Sequence, residues 1–256
     1  MFVIVIAIAL PRPTSNVLYA NAKKYAHKII KIIPADETND IADEDTPTVG
    51  LAYFYDKTIE QCEKVVSINP KNAKAYYKMG VAYANKGQFD EAIEMFKKTV
   101  NINPKDAKAY RNIGFAYDQK EQFDEAIKMF EKSISINPRD AEAYFLMGGT
   151  YGNNGNYNKA IEMFEKSISI NPKDTFVYHN MGLTYDLKGD YDKAIELYEK
   201  TLSINPKQSK VYVNMAVAYD KKMNAEKALS CLKQAATLGD IGAEEYLNNI
   251  VEISNK

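Results

Sequence analysis

The dipeptide Asn-Pro recurs along the chain at a constant interval of 34 residues. It stands at residues 69–70, 103–104, 137–138, 171–172 and 205–206. A fixed period of this size is the sequence signature of a repeat architecture, in which each unit is one supersecondary element and neighbouring units share a core. The period therefore predicts a stack of similar units and excludes a single core built from unlike layers.

Each unit contains two segments with helical periodicity. In residues 73–106 the first apolar stripe consists of Tyr76, Met79, Gly80 and Tyr83, at i, i+3, i+4 and i+7. Residues 86–88 break the pattern, and a second stripe follows with Phe89, Ala92, Ile93 and Phe96. The second helix is expected to end before Pro104, because a residue that precedes proline is pushed out of helical geometry. The small residues Gly80 and Ala92 predict that the two helices cross closely at these positions.

The repeated positions resemble the tetratricopeptide repeat family. In the first unit the pattern is Tyr76, Met79, Gly80, Tyr83, Ala92, Phe96 and Pro104. It returns in three further units, and a weaker fifth copy has Tyr212, Met215, Ala216, Tyr219, Ala228 and Leu232. The resemblance implies an all-α, right-handed solenoid of helix–turn–helix repeats with terminal capping helices. It also implies a non-enzymatic scaffold that binds proteins.

The same pattern divides the chain into segments. A signal peptide is predicted for 1–22, and a helical segment followed by an acidic linker for 23–46. A degenerate first repeat covers 47–72, in which 47–67 is expected to form one long helix. Five repeats then fill 73–242, and they are 73–106, 107–140, 141–174, 175–208 and 209–242. Residues 243–256 are expected to cap the open end of the stack as a helix.

Composition excludes several classes of function. Lys plus Arg number 33 and Asp plus Glu 34, so the net charge of -1 argues against a nucleic-acid partner. Only 2 Cys and 2 His are present, too few for a multi-cysteine zinc site or a disulfide framework. Cys62 and Cys231 are expected to be buried thiols, with a redox role as the alternative. No phosphate-binding glycine loop or nucleophile motif occurs. We therefore expect no enzymatic activity, cofactor or metal, and an enzyme built around His179 is the weakest alternative.

The resemblance implies that residues beside the core stripe of each first helix line an inner groove. These residues vary between units while the core residues do not. The predicted peptide-binding residues are Tyr77, Lys78, Arg111, Asn112, Phe115, Asp118, Phe145, His179, Asn180 and Asn214. An asparagine amide offers both a donor and an acceptor, so Asn112, Asn180 and Asn214 could pair with the backbone of an extended peptide. The alternative is that these amides are only solvated.

The expected partner is a protein or peptide segment that lies in this groove. Self-association through the terminal repeats is the alternative function. Some members of the family clamp the C-terminal carboxylate of heat-shock chaperones with basic residues in the third unit of the set. In this chain Glu142 and Leu146 occupy those positions, which disfavours the chaperone clamp.

The start of the chain has the character of an export signal. Phe2 to Leu10 is an unbroken apolar run, too short for a transmembrane helix but typical of the core of a signal peptide. Ala20 and Ala22 provide small residues for cleavage. No Lys or Arg precedes the run, so an uncleaved membrane-associated segment or an incorrectly assigned start stays open. The predicted location is secreted or periplasmic, with a cytoplasmic location as the alternative.

The export hypothesis has a direct test. N-terminal sequencing of the natively expressed protein should begin near Lys23, because cleavage after Ala22 removes the apolar run. A mature chain that begins at Met1 in the cytosol would contradict export.

Overall fold

A computed structural model describes the backbone of residues 48–254 and the side chains of 52–248. The predicted signal peptide, the segment 23–46 and the last two residues lie outside this range. Twelve α-helices account for the regular structure of the described residues. They are α1 Thr48–Ile68, α2 Ala73–Asn85, α3 Phe89–Ile102, α4 Ala107–Gln119, α5 Phe123–Ile136, α6 Ala141–Asn153, α7 Tyr157–Ile170, α8 Thr175–Lys188, α9 Tyr191–Ile204, α10 Ser209–Lys221, α11 Ala225–Thr237 and α12 Ile241–Ser254.

Helix ends follow local side-chain chemistry. Asn72, Asp106 and Asp140 cap α2, α4 and α6, and each side chain accepts a hydrogen bond from a backbone N–H three residues later. The turn after α2 passes through Gly87, whose φ of 75° favours a residue without a Cβ. Glu121 occupies the corresponding turn after α4 with φ 59°, so this turn does not require glycine.

The helices form two compact units. One contains residues up to Asn154, and α1 to α6 pack there in sequence, each helix against the next. The other begins at Gly155, and α7 to α12 pack in the same consecutive way. This consecutive pairing without strands among the described residues confirms the predicted all-α repeat solenoid. The long helix expected over 47–67 is present as α1, and the C-terminal helix as α12.

In three of the helix pairs an aromatic ring lies against a glycine. A Cβ added to Gly80 would lie 2.7 Å from the ring of Phe96, and one on Gly114 would lie 2.9 Å from Phe130. In the fourth repeat, which lies in the unit from Gly155 onward, a Cβ on Gly182 would lie 2.6 Å from Tyr198. The rings of all three aromatic residues are buried. The prediction that the helices cross closely at the first-helix glycine is therefore confirmed.

Ion pairs connect neighbouring repeats at the surface. Lys86 pairs with Asp56, Lys120 with Asp90, and Lys222 with Asp192. Each lysine directly follows a first helix. Asp90 and Asp192 are the second residues of the preceding second helices, and Asp56 is the aligned residue within α1. Exposed pairs of this kind contribute about 0–1 kcal/mol each, so they add little to the stability of the stacked repeats.

The two cysteines are buried free thiols, as expected. Burial raises the pKa of Cys231 to about 11, so this thiol is not a reactive thiolate near neutral pH. None of the helices in the described part of the chain has the length and apolar character needed to cross a bilayer.

Candidate functional site

The predicted groove residues lie on the first helices, and many of them contact the neighbouring repeat. The fifth residues of successive repeats are Tyr77, Arg111, Phe145, His179 and Val213. Arg111, Phe145 and His179 are buried. Phe115 is also buried and lies edge-on against Phe89. Of the predicted set in the unit up to Asn154, Lys78 is exposed.

Tyr77 and Asn112 join the first two complete repeats. The amide nitrogen of Asn112 donates to the hydroxyl oxygen of Tyr77 at 3.0 Å. The Tyr77 ring packs edge-on against the Phe96 ring, with centroids 5.6 Å apart. Burial raises the pKa of Tyr77, so it stays a neutral phenol that can still donate its own hydroxyl hydrogen.

Arg111 joins the second and third repeats by ion pairs. Its guanidinium contacts Asp140 at 2.6 Å and Glu142 at 3.0 Å. Asp140 also caps α6, so one carboxylate orients both the helix and the arginine. The paired charges are almost fully buried, and truncating one partner of such a pair leaves the other charge uncompensated. Arg111 therefore has a structural role at this junction.

Asp118 is a buried carboxylate of the same unit. It accepts a hydrogen bond from the Thr150 hydroxyl at 2.8 Å. Burial raises its pKa to about 6, while hydrogen bonds from Thr150, Asn153 and Gln119 oppose the shift. Like the Tyr77–Asn112 pair, this contact joins a first helix to the first helix of the next repeat.

A cleft of about 340 Å³ opens in the unit up to Asn154. Its lining residues are Ala73, Lys74, Tyr77, Asn103, Asp106 and Lys108. Lys74 and Lys108 are the second residues of α2 and α4, and both are exposed. Asp106 is engaged in capping α4. Two exposed lysines and Tyr77 thus line the same cleft.

His179 and Asn214 make the corresponding contact in the unit from Gly155 onward. The amide nitrogen of Asn214 lies 2.7 Å from Nε2 of His179. His179 is 7% exposed, and burial, followed by the nearby charge of Lys210, lowers its pKa to about 4. The imidazole is therefore neutral at pH 7. Its Nε2 accepts from Asn214, which places the ring proton on Nδ1.

Asn180 lies in the interior, with 2% of its surface exposed. Its amide nitrogen donates to the carbonyl of Phe176 at 2.8 Å, within its own helix. The three predicted asparagines thus do not share one environment. Asn112 and Asn214 bond to the preceding repeat, and Asn180 bonds to its own backbone. Peptide binding by these amides stays a prediction.

Tyr198 and Asp186 are two further polar residues in the unit from Gly155 onward. Tyr198 is buried, and its hydroxyl has no hydrogen-bond partner among the described residues. Burial raises the pKa of Tyr198 well above its usual value, and the nearby Asp186 carboxylate adds to the effect. Burial also raises the pKa of Asp186 to about 6. Tyr198 replaces the phenylalanine of the earlier repeats.

The predicted peptide-binding set did not include the cleft lysines, and it left out Asp186 although that residue lies on the predicted groove stripe. Lys74 and Lys108 occupy the second position of their repeats, which belongs to the predicted groove stripe, so their position was the available signal. Asp186 repeats the position of Asp118. No group of three or more potential metal ligands occurs within the described residues.

Comparison with known proteins identifies the family. Models described as tetratricopeptide repeat match residues 71–139, 107–173 and 139–207, and another matches 187–237. These matches cover more than half of the chain, so it belongs to the tetratricopeptide repeat family. Such repeat proteins are generally non-catalytic, and the fold supports a protein-interaction scaffold. No curated protein matches the chain.

Several solved structures resemble the protein. The crystal structure of MamA is 30% identical, covers 65% of this chain and 97% of its own, and has a TM-score of 0.60. The crystal structure of YrrB, described as a TPR protein with an unusual peptide-binding site, is 22% identical and covers 75% and 99%, with a TM-score of 0.60. MamA 41-end from Desulfovibrio magneticus RS-1 is 21% identical, covers 65% and 94%, and has a TM-score of 0.61. The latter two show a shared fold only.

The neutral state of His179 predicts a dependence of stability on pH. The unfolded histidine titrates near pH 6.5 and the folded one near 4, so stability should be lost as the pH falls through this range. Replacing His179 with Phe, the residue at the equivalent position 145, removes the titration. The parent should lose roughly 3 kcal/mol relative to His179→Phe between pH 7 and pH 4. Urea unfolding at several pH values measures this difference, and a constant difference would contradict the burial of a neutral imidazole.

Proposed function

We propose that the protein is a non-enzymatic scaffold that holds a peptide segment of a partner protein along its first helices. The observation that carries this proposal is the cleft between α2 and α4. A site of this size accepts one or two side chains of an extended segment. The cleft contains Tyr77, which belongs to the predicted peptide-binding set.

The charges of the cleft favour a segment with an acidic side chain. Lys74 and Lys108 have no ion-pair partner among the described residues, and both line the cleft. The Tyr77 hydroxyl accepts from Asn112, which leaves its hydrogen free to donate to a ligand oxygen. Two ammonium groups and one hydroxyl suit a carboxylate, because hydrogen bonds to charged groups are the stronger ones.

The polar contacts between repeats support this function indirectly. Tyr77 is held by Asn112, and the following repeat is held by Arg111 with Asp140. Side chains fixed in this way present the cleft without much loss of conformational freedom when a ligand binds. The asparagines of the predicted groove then act partly by positioning other residues.

Self-association is a second candidate function. It rests on exposed apolar side chains near the C-terminal end of the described chain, among them Leu238 after α11 and Ile241 on α12. Exposed apolar patches often mark contacts with other proteins. A mass in solution that rises with protein concentration would favour this candidate.

Charge reversal in the cleft tests peptide binding. The full-length protein first captures its partner from cells of the source organism, and mass spectrometry identifies the bound segment. Lys74→Glu combined with Lys108→Glu should then weaken the affinity for a synthetic copy of that segment by roughly tenfold or more. The fold should persist, because both side chains are exposed and glutamate is favourable in the first turn of a helix.

A matched control changes the same charge elsewhere. Lys128→Glu with Lys233→Glu alters exposed lysines of the second helices α5 and α11. Calorimetry should find its affinity close to that of the parent. An equal loss in both variants would indicate a general charge effect, and an unchanged affinity in the cleft variant would exclude the cleft as the binding site.

A further inference from the structure

One face of helix α1 carries three apolar side chains that stay exposed in the described part of the chain. The face has helical spacing and runs through Phe54, Thr58, Gln61, Val65 and Ile68, called here the α1 stripe, in which Thr58 and Gln61 are polar. Phe54 is 52% exposed, Val65 41% and Ile68 87%. The opposite side of α1, with Ile59 and Cys62, is buried against α2.

The same positions are covered in the complete repeats. The equivalents of Thr58 and Val65 lie one, two and four repeats further along the chain, at offsets of 34, 68 and 136 positions. Those residues are Ala92, Thr99, Ala126, Ser133, Ala194 and Thr201, and all six are 0% exposed. Val65 is therefore exposed, and Thr58 only half-buried, at positions that are fully buried in these complete repeats.

The covering element in a complete repeat is its own first helix. In the second repeat the hydroxyl of Ser133 donates to the carbonyl of Ala107, the first residue of α4, at 2.8 Å. A Cβ on Gly114 of the same helix would lie 3.1 Å from the carbonyl oxygen of Ala126. Among the described residues α1 has no such partner, since the positions aligned with a first helix are the acidic sequence before Thr48 and the first turn of α1 itself.

We propose that residues 23–33 of this chain cover the α1 stripe in place of the missing first helix. Their sequence has two faces at helical spacing. The apolar face consists of Tyr25, Ala26, Ile29, Ile30, Ile32 and Ile33, and the polar face of Lys24, His27, Lys28 and Lys31. Pro34 follows directly and ends the pattern, as proline does after a helix.

The connection is long enough for this docking. Residues 34–47 can extend over roughly 45 Å, while the stripe from Phe54 to Ile68 rises only about 21 Å along its helix. A segment attached through a linker of this length has an effective concentration in the millimolar range. A second copy of the chain at micromolar concentration competes poorly with a segment that is already attached.

A single tryptophan can report on the stripe, because the natural chain has none. Val65→Trp in the full-length protein should emit at a shorter wavelength than an exposed indole, with several-fold weaker quenching by iodide. Adding Ile29→Asp and Ile33→Asp should shift the emission to longer wavelength and restore quenching. The control pair Lys28→Asp and Lys31→Asp changes the polar face and should leave the emission unshifted.

Hydrogen exchange in the unaltered full-length protein gives a second measurement that needs no substitution. Backbone amides of residues 25–33 should be protected, and the protection should not change with protein concentration. Unprotected amides, or a tryptophan that stays exposed in the full-length variant, would overturn the proposal. Protection that appears only as the mass doubles would assign the stripe to a second copy and would also overturn it.

Discussion

The contact between an aromatic ring and a glycine sets the distance between the two helices of a repeat. Phe130 lies so close to Gly114 that a single added methyl group would overlap the ring. The same pairing occurs at Gly80 and at Gly182, where the ring is that of a tyrosine. Close-packed interiors do not absorb such an added group without displacement. These three repeats use the same contact, so the spacing of their two helices is set in the same way.

Variable residues of the first helices join one repeat to the next. Tyr77 bonds to Asn112, and His179 bonds to Asn214, in each case from the fifth residue of one repeat to the sixth of the following one. Arg111 uses the same side of its helix to reach Asp140 and Glu142. Variation at these positions therefore reflects different solutions to one structural problem as well as different ligand contacts.

The sequence predicted the helices well, because periodicity and proline spacing depend on local geometry. The close crossing at Gly80 and Gly114 followed from residue size. The environments of the asparagines were less accessible. Whether Asn112 meets a ligand or Tyr77 depends on how neighbouring repeats are rotated, and its partner lies 35 residues away. Asn180 could not be distinguished from Asn112 by position, yet it bonds to its own helix.

The cleft is another feature that the sequence alone does not reveal. Lys74 and Lys108 are ordinary exposed lysines in the sequence, and only the packing of α2 beside α4 brings them to one cleft with Tyr77. Their charge, unlike that of Arg111, is not consumed by neighbouring carboxylates among the described residues. The same first helices therefore carry residues that join neighbouring repeats, such as Arg111, and residues that are available to a ligand, such as Lys74 and Lys108.

A double-mutant cycle on unfolding free energy tests the aromatic–glycine contact most directly. Gly114→Ala should destabilise the protein by about 1–3 kcal/mol, although alanine is the better helix former. Phe130→Leu should cost less in the Gly114→Ala background than in the parent, because the smaller side chain relieves the overlap, with a coupling of about 1 kcal/mol or more. A Gly114→Ala variant as stable as the parent, or strictly additive substitutions, would contradict this account.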